Sequence, residues 1–295
     1  MNDLRPTKLD DLIGQKKVID MLRIMIGSAK SRNDCLPHML FNGPAGLGKT
    51  TLASAMSNEM GVDIEIANGG GVNSVKSLLP YVMRIKEHSI LFIDEIHALS
   101  SSVSEWLYPV MEDFRCDIGG KKDKISQSIP KFTMIGATTE AGSLETPLYD
   151  RFGAQFQLEP YSVDELVELI QMNAPKLKLN KDELAFKEIA KRGRGTPRIT
   201  NNLLRWVRDY CTHHKTSLSS NVVRQAMNLK GIDDDGTTSN DRIYIDALKS
   251  MDKPLGLNTI VSMTNIDKQT IESIIEPFLL RKKLILKTSK GRILA

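Results

Sequence analysis

An α/β domain on a parallel sheet, then an all-α lid-like unit, then a winged-helix tail is the architecture predicted for this chain of 295 residues. Short apolar runs alternate with helical patterns through the first half, as strands and helices do around a parallel sheet. Strand-like runs stop after Leu158-Glu-Pro160, and only helical periodicity follows. Near the end, short helical stretches give way to two brief strands around a turn. The division expected from these changes is 1–158, 159–232 and 233–295.

The elements follow in order. Met39-Leu-Phe41 is read as a strand because it leads into a glycine-rich loop and a helical stretch from about Thr50 to Met60. Ile90-Leu-Phe-Ile93 and Phe132-Thr-Met-Ile135 are continuous apolar runs, the pattern of strands covered on both faces. Ser162-Val-Asp-Glu165 reads as a capping box that opens a helix running to about Asn173. Helical patterns follow near 182–192, 197–214 and 219–229. Gly231-Ile-Asp-Asp-Asp-Gly-Thr-Thr-Ser-Asn240 reads as a linker from its composition. Beyond it, helices are expected near 243–251, 257–264 and 267–280. The strands Leu284-Ile-Leu286 and Arg292-Ile-Leu294 come last, joined by a Thr-Ser-Lys-Gly turn.

Composition excludes several classes. Hydrophobic residues make up 41%, enough to bury cores, so neither disorder nor a disulfide scaffold is needed. The cysteines Cys35, Cys116 and Cys211 are too scattered for a disulfide framework or a zinc site. A reducing, cytoplasmic setting is expected. Met1-Asn-Asp-Leu-Arg-Pro6 has no basic stretch followed by an apolar one, and no apolar run approaches a membrane span. No membrane partner is therefore expected. The whole formal excess of +4 lies in 241–295, with ten basic and six acidic residues. Such a basic tail is either a solvated face or a polyanion-binding module.

Two motifs carry chemistry. Gly43-Pro-Ala-Gly-Leu-Gly48-Lys49-Thr50 matches G-x-x-x-x-G-K-[ST] between a strand and a helix, the context that motif requires. Its glycines let backbone N–H groups turn around a phosphate, and the helix N-terminus adds positive potential. Lys49 suits the β- and γ-phosphates, and the Thr50 hydroxyl suits Mg²⁺. Ile90-Leu-Phe-Ile-Asp94-Glu95 places two carboxylates where an apolar strand ends, the ligand edge of such a sheet. Asp94 suits the metal shell, and Glu95 suits polarising an attacking water. His97, Cys35, His38 and the pair His213-His214 lack partners at ligand spacing and are read as structural.

These motifs, with their surroundings, resemble the RuvB family, bacterial Holliday-junction branch-migration motors of the AAA+ class. Leu4-Arg5-Pro6 with Leu12-Ile-Gly-Gln15 resembles the family's adenine-holding opening. Gly43–Thr51 resembles its Walker A segment, Asp94-Glu-Ile-His97 its Walker B, and Tyr108–Phe114 the stretch that follows. Gly136-Ala-Thr-Thr139 resembles sensor 1, Pro147–Gly153 the arginine-finger segment, and Arg194-Gly-Thr-Pro-Arg198-Ile sensor 2. Gly256-Leu257, Glu276-Pro277 and Gly291-Arg292 match the winged-helix tail.

The resemblance implies an AAA+ P-loop NTPase fold that binds ATP/ADP and Mg²⁺. Nucleotide contacts are implied for Leu4, Arg5, Gly46, Gly48, Lys49, Thr50, Thr51, Glu112, Asp113, Phe114, Tyr161 and Arg198. Thr139 would sense the γ-phosphate or position water. Arg151 would reach into a neighbouring subunit's site, a surface pair with Asp150 being the bland alternative. A finger supplied in trans implies head-to-tail contacts closing into a homo-oligomeric ring, a hexamer in the family. Lys268, Lys287 and Arg292 fall where the family contacts DNA. Duplex or four-way-junction DNA and a RuvA-like junction binder are the implied partners.

Three departures stand out. Glu140 occupies a position where the family usually has Arg, and Tyr149 replaces one of two arginines near the finger. The hairpin segment 117–130, which docks the RuvA partner in the family, is shorter here. It carries Lys121, Lys122 and Lys124 in place of an evident apolar tip. The sequence is best read as an ATP-dependent motor that translocates duplex DNA to drive branch migration. A clamp-loader-like AAA+ switch and a non-catalytic DNA-binding assembly subunit are the alternatives. Intact Lys49, Thr50, Asp94 and Glu95 argue against the latter.

Overall fold

The computed structural model describes residues 4–119, 125–251 and 253–295. Lys121, Lys122 and Lys124 lie outside them. The chain forms two compact units. One runs through Glu165 and takes back Thr196–Arg198; the other comprises Leu166–Gly195 and Ile199–Ala295.

The first unit is built on strands β1 (Met39–Asn42), β2 (Ile64–Asn68) and β3 (Ile90–Asp94), followed by β4 (Arg115–Ile118), β5 (Ile125–Ser128), β6 (Thr133–Thr138) and β7 (Ala154–Gln157). Five form a sheet in the order β2-β3-β6-β1-β7, and every pairing in it is parallel. Position in that order explains composition. Central β6 is buried at all six residues, whereas the edge strands β2 and β7 are half exposed. Alternate residues point to opposite faces. Met39 and Phe41 accordingly enter one core with Ile90, Phe92 and Ile135, while Leu40 enters the other with Leu91, Ile93 and Met134. Helix α1 (Lys16–Arg32) packs Val18, Ile19, Leu22, Ile26 and Ala29 onto the first core at helical spacing. Helices α2 (Lys49–Met60), α3 (Val75–Val82), α4 (Ser101–Glu112) and α5 (Thr146–Tyr149) complete the unit. Strands β4 and β5 form a separate antiparallel hairpin.

Strand β6 runs three residues beyond the expected Ile135. Gly136 makes the extension feasible, because a Cβ there would lie only 2.9 Å from Phe152 and 3.0 Å from Ile96. The Ser162–Glu165 capping box is formed: Ser162 N–H donates to the Glu165 carboxylate (2.7 Å) and Glu165 N–H to the Ser162 hydroxyl (3.2 Å). It opens α6 (Val163–Asn173).

After α6 come α7 (Glu183–Arg192), α8 (Pro197–His214), α9 (Ser220–Leu229), α10 (Ser239–Lys249) and α11 (Leu257–Thr264). The stretch expected as a linker at 231–240 is instead ordered by its own polar groups. Asp233 accepts from the N–H groups of Asp235 and Thr237. Asp234 pairs with buried Arg192, and Thr238 and Asp241 form a capping box that starts α10 four residues before the expected 243. Composition signalled a turn but not the partners that pin it.

The helix expected at 267–280 is three pieces: α12 (Lys268–Thr270), a π turn (Ile271–Ile275) and α13 (Glu276–Arg281). Pro277 has no N–H to offer the turn before it, which favours the wider turn. Strands β8 (Ile285–Thr288) and β9 (Gly291–Leu294) form the closing hairpin. Tyr244, Leu255, Ile260, Ile271, Phe278, Leu279 and Ile285 make the core beneath it. The predicted α/β sheet followed by helical and winged-helix segments is the observed architecture.

Candidate functional site

The glycine loop joins β1 to α2, so it lies at the C-terminal edge of the sheet. Lys49 opens α2 and is 6% exposed, and its ammonium donates to the carbonyls of Gly43 (2.6 Å) and Pro44 (3.2 Å). Burial lowers its pKa; the carboxylates of Glu95 and Asp94 oppose that shift, and Arg198 adds to it. The same lysine thus feels both acids and Arg198. Gly46 has φ +82°, and a Cβ there would meet the Thr196 side chain at 2.7 Å and Arg198 at 3.1 Å. Glycine is required because 196–198 presses directly onto the loop; Arg198 N–H reaches the Gly46 carbonyl at 3.4 Å.

Strands β3 and β6 end at the same edge. Thr50 Oγ1 and Asp94 Oδ2 lie 3.5 Å apart. Two half-buried oxygens so placed fit Mg²⁺, which takes oxygen donors and keeps several waters. Glu95 adopts φ +49°, which turns its side chain toward Thr139, whose hydroxyl lies 3.4 Å from Glu95 Oε2. Gly69 accommodates this turn, since a Cβ there would sit 2.3 Å from the Glu95 carbonyl oxygen. His97, read from sequence as merely structural, also faces Glu95. Its Nδ1 is 2.9 Å from the buried Thr138 hydroxyl and 3.4 Å from Glu95 Oε2. The Asp-Glu-x-His spacing was the available signal; the register of β6 beside β3 supplies the contact.

Gly14 and Gln15 approach the glycine loop by way of Tyr161. Leu4 is buried and Arg5 exposed. Gln15 and Glu159 exchange hydrogen bonds at 2.6 and 3.2 Å, which brings Tyr161 against Gly14. The Tyr161 hydroxyl donates to the Leu47 carbonyl at 3.4 Å, and burial together with nearby Glu165 pushes its pKa up to about 12. Gly48, with φ +100°, caps α2, and Thr51 follows in its first turn.

Arg151 and the Glu112–Phe114 stretch lie elsewhere. Arg151 precedes β7, whose Ala154 stands beside Met39 at the start of β1. Phe114 packs edge-on against His38 and Phe132, which also precede strands. In a parallel sheet these are the strand starts, whereas the glycine loop follows a strand end. Four residues of β1 separate the two levels, or about 13 Å at the usual rise. The Arg151 guanidinium donates to the Pro147 carbonyl (2.6 Å) and to Glu112 (3.2 Å) and stacks on Tyr108 at 4.0 Å. Its partner is Glu112, not the neighbouring Asp150, and Asp113 pairs with Arg115.

Lys268 begins α12, with Asp267 capping the turn. Lys287 and Arg292 are paired to Glu276. No cluster of three or more metal-ligating side chains occurs among the described residues, and no helix among them is long and apolar enough to cross a membrane.

Three family descriptions match in succession: "Holliday junction DNA helicase RuvB P-loop domain" over 4–158, "RuvB AAA lid domain" over 161–233 and "RuvB C-terminal winged helix domain" over 234–295. The chain is 45% identical over 297 aligned positions to a Campylobacter hominis protein called Holliday junction branch migration complex subunit RuvB, covering 99% of this chain and 87% of that one. The Rhodopirellula baltica protein of the same name is 42% identical, with 98% and 81% covered. Among solved structures, the Thermotoga maritima RuvB Holliday junction branch migration motor superposes with a TM-score of 0.90 at 35% identity, over 99% of this chain and 96% of that one.

Proposed function

Because the chain belongs to the RuvB family, we propose that it is an ATP-hydrolysing motor that drives branch migration of four-way DNA junctions by translocating duplex DNA. The observation that carries this reading is the convergence of Lys49, Thr50, Asp94, Glu95, Thr139 and the 196–198 segment at one edge of a parallel sheet. Lys49 and the loop N–H groups hold the phosphates. Glu95 takes a proton from the attacking water, with Thr139 and His97 fixing its carboxylate. Mg²⁺ held through Thr50 and Asp94 would neutralise charge on the phosphate oxygens. Leu4, Arg5, Gly46, Gly48, Thr51 and Tyr161 complete the nucleotide pocket, and Arg198 grips the same nucleotide.

Arg151, Glu112, Asp113 and Phe114 act in trans. Their placement at the strand starts keeps them from their own glycine loop, which favours a ring, a hexamer by family resemblance, in which each site borrows its neighbour's arginine. A trans arginine is worth roughly 10³–10⁵ in rate in NTPases. The chain works as three parts, 1–158, 159–232 and 233–295, in the cytoplasm. The tail supplies the duplex-binding surface, with Lys268, Lys287 and Arg292 as its DNA contacts. A RuvA-type junction binder is the partner the β4–β5 hairpin would meet.

The test is a synthetic four-way junction incubated with the purified chain, ATP and Mg²⁺, with and without a RuvA-type protein. Junctions are expected to resolve into duplex products only when ATP is hydrolysed. Steady hydrolysis that leaves the junction intact in both mixtures would contradict the motor and favour a clamp-loader-like switch.

A further inference from the structure

Arg151 follows α5 and is held from three sides. Its Nη1 donates to the Pro147 carbonyl at 2.6 Å and its Nη2 to Glu112 Oε2 at 3.2 Å, while the guanidinium carbon lies 4.0 Å from the centre of the Tyr108 ring. Tyr108 and Glu112 both belong to α4, at the i, i+4 spacing that puts two side chains on one helix face. The ring is itself anchored. The Tyr108 hydroxyl donates to Glu145 Oε2 at 3.2 Å, and Glu145 immediately precedes α5. The last turn of α4 is tied to the sheet as well. The Met134 N–H donates to His38 Nδ1 at 2.9 Å, which leaves Nε2 to donate to the Met111 carbonyl at 2.9 Å.

These restraints are unequal. The Glu112 side chain is 56% exposed, and an ion pair so open to solvent contributes little. The Arg151 side chain is only 22% exposed, and its Nε is buried without a hydrogen-bond partner among the described residues. The electron-rich face of the Tyr108 ring offsets the desolvation of that part of the cation, and such a contact strengthens as water is excluded. Each Nη carries a pair of N–H groups and spends one of them. One donor therefore remains on each for a phosphate oxygen, with all three restraints intact. Gripping a phosphate costs an arginine its rotamer freedom, and a guanidinium already held flat has lost that freedom beforehand. Tyr149, where the family has a second arginine, packs against the core, so the presentation rests on Arg151.

We propose that Tyr108 is the positioning residue of the trans arginine: its ring fixes the plane of the Arg151 guanidinium, so that the spare N–H donors meet the transferring phosphate of the adjoining subunit. This rests on the reading of Arg151 as a finger supplied in trans. In this role Tyr108 touches no nucleotide. It acts through Arg151, and on the turnover of the neighbour's site in place of its own.

The experiment measures ATP turnover by the full chain, with Mg²⁺ and junction DNA, for wild type, Tyr108→Leu and Tyr108→Phe, with a thermal melt of each. Tyr108→Leu is expected to lower kcat about 3–30-fold, the worth of a cation–π contact. KM for ATP should stay unchanged, because the finger acts on charge that develops in the transition state. Tyr108→Phe keeps the ring and should keep most of the rate. Two readouts separate positioning from a merely structural role. In an Arg151→Ala background, Tyr108→Leu should lower the residual rate no further; a further fall of the same size overturns the proposal. Mixed with Lys49→Ala chains, which keep Tyr108 and Arg151, each Tyr108→Leu subunit should turn over faster than in its own assembly. An unchanged or lower rate per subunit overturns the proposal too, as does a wild-type kcat for Tyr108→Leu. Tyr108→Met serves the same readouts should the leucine variant melt early. Arg151→Ala chains with wild-type turnover would instead refute the trans finger on which the proposal rests.

Discussion

Arg194→Ala should weaken the C-terminal unit far more than an exposed arginine would. Arg194 stands four residues before Arg198, but its side chain belongs to a different neighbourhood. It is 7% exposed, pairs with Asp241, donates to the Gly236 carbonyl at 2.9 Å and stacks on Phe278 at 4.0 Å. Asp241 is 0% exposed. Removing one partner of a buried pair costs about 3–5 kcal/mol, because the other charge is left uncompensated. Asp241 keeps two bonds, from the Thr238 N–H (2.7 Å) and hydroxyl (2.6 Å), which places the cost near the lower end, about 3 kcal/mol. With a urea slope of about 2 kcal/mol per molar, the midpoint should fall by about 1.5 M. Trp206, whose indole donates to the Ala226 carbonyl within this unit, reports the transition in a Trp106→Phe background. Arg194→Lys retains the charge without the fork and should recover part of the loss. An unchanged midpoint, or a loss of ATP affinity with stability intact, would refute the reasoning and place Arg194 at the nucleotide.

Three further outcomes are expected. Glu95→Gln should bind ATP with near wild-type affinity and hydrolyse it at least 10²-fold more slowly, the usual worth of a positioned base; rapid phosphate release in a single-turnover assay would count against that role. Gly46→Ala should weaken nucleotide binding at least 10-fold, since a left-handed alanine costs roughly 1–2 kcal/mol before its clash with Thr196 at 2.7 Å; calorimetry showing wild-type affinity would mean the 196–198 segment yields freely. The Glu276 cluster should make the tail acid-labile. Because its native pKa is lowered, its stabilisation is complete above the ordinary value of 4.5 and is lost as pH falls through the native one. The melting gap between wild type and Glu276→Gln should therefore close at acid pH, and a gap that persists there would contradict the ionised pairing.

What could be read from sequence was what a short stretch decides by itself. The glycine loop, the Asp94-Glu95 strand end and the Ser162–Glu165 capping box each depend on local backbone, and the structure forms all three. What could not be read depends on distant register. Glu112 as the partner of Arg151, Thr138 as the partner of His97, and Glu276 beneath Lys287 and Arg292 join residues 39, 41 and up to 16 positions apart through folding. The 231–240 stretch shows the same limit: its Asp and Thr content marks turns equally well whether they are solvated or clamped by Arg192 and Arg194. The π turn before Pro277 escaped because periodicity alone does not register one wider turn.

Sharing of sites between subunits is tested most directly by mixing two dead variants. Lys49→Ala lacks a working phosphate loop but keeps Arg151, and Arg151→Ala keeps the loop but lacks the finger. Each alone should show little ATP turnover. The mixture should regain a substantial part of wild-type turnover, because some interfaces then combine an intact loop with an intact finger. A co-assembled mixture, verified by mass measurement, that stays as inactive as its parents would contradict a finger acting in trans.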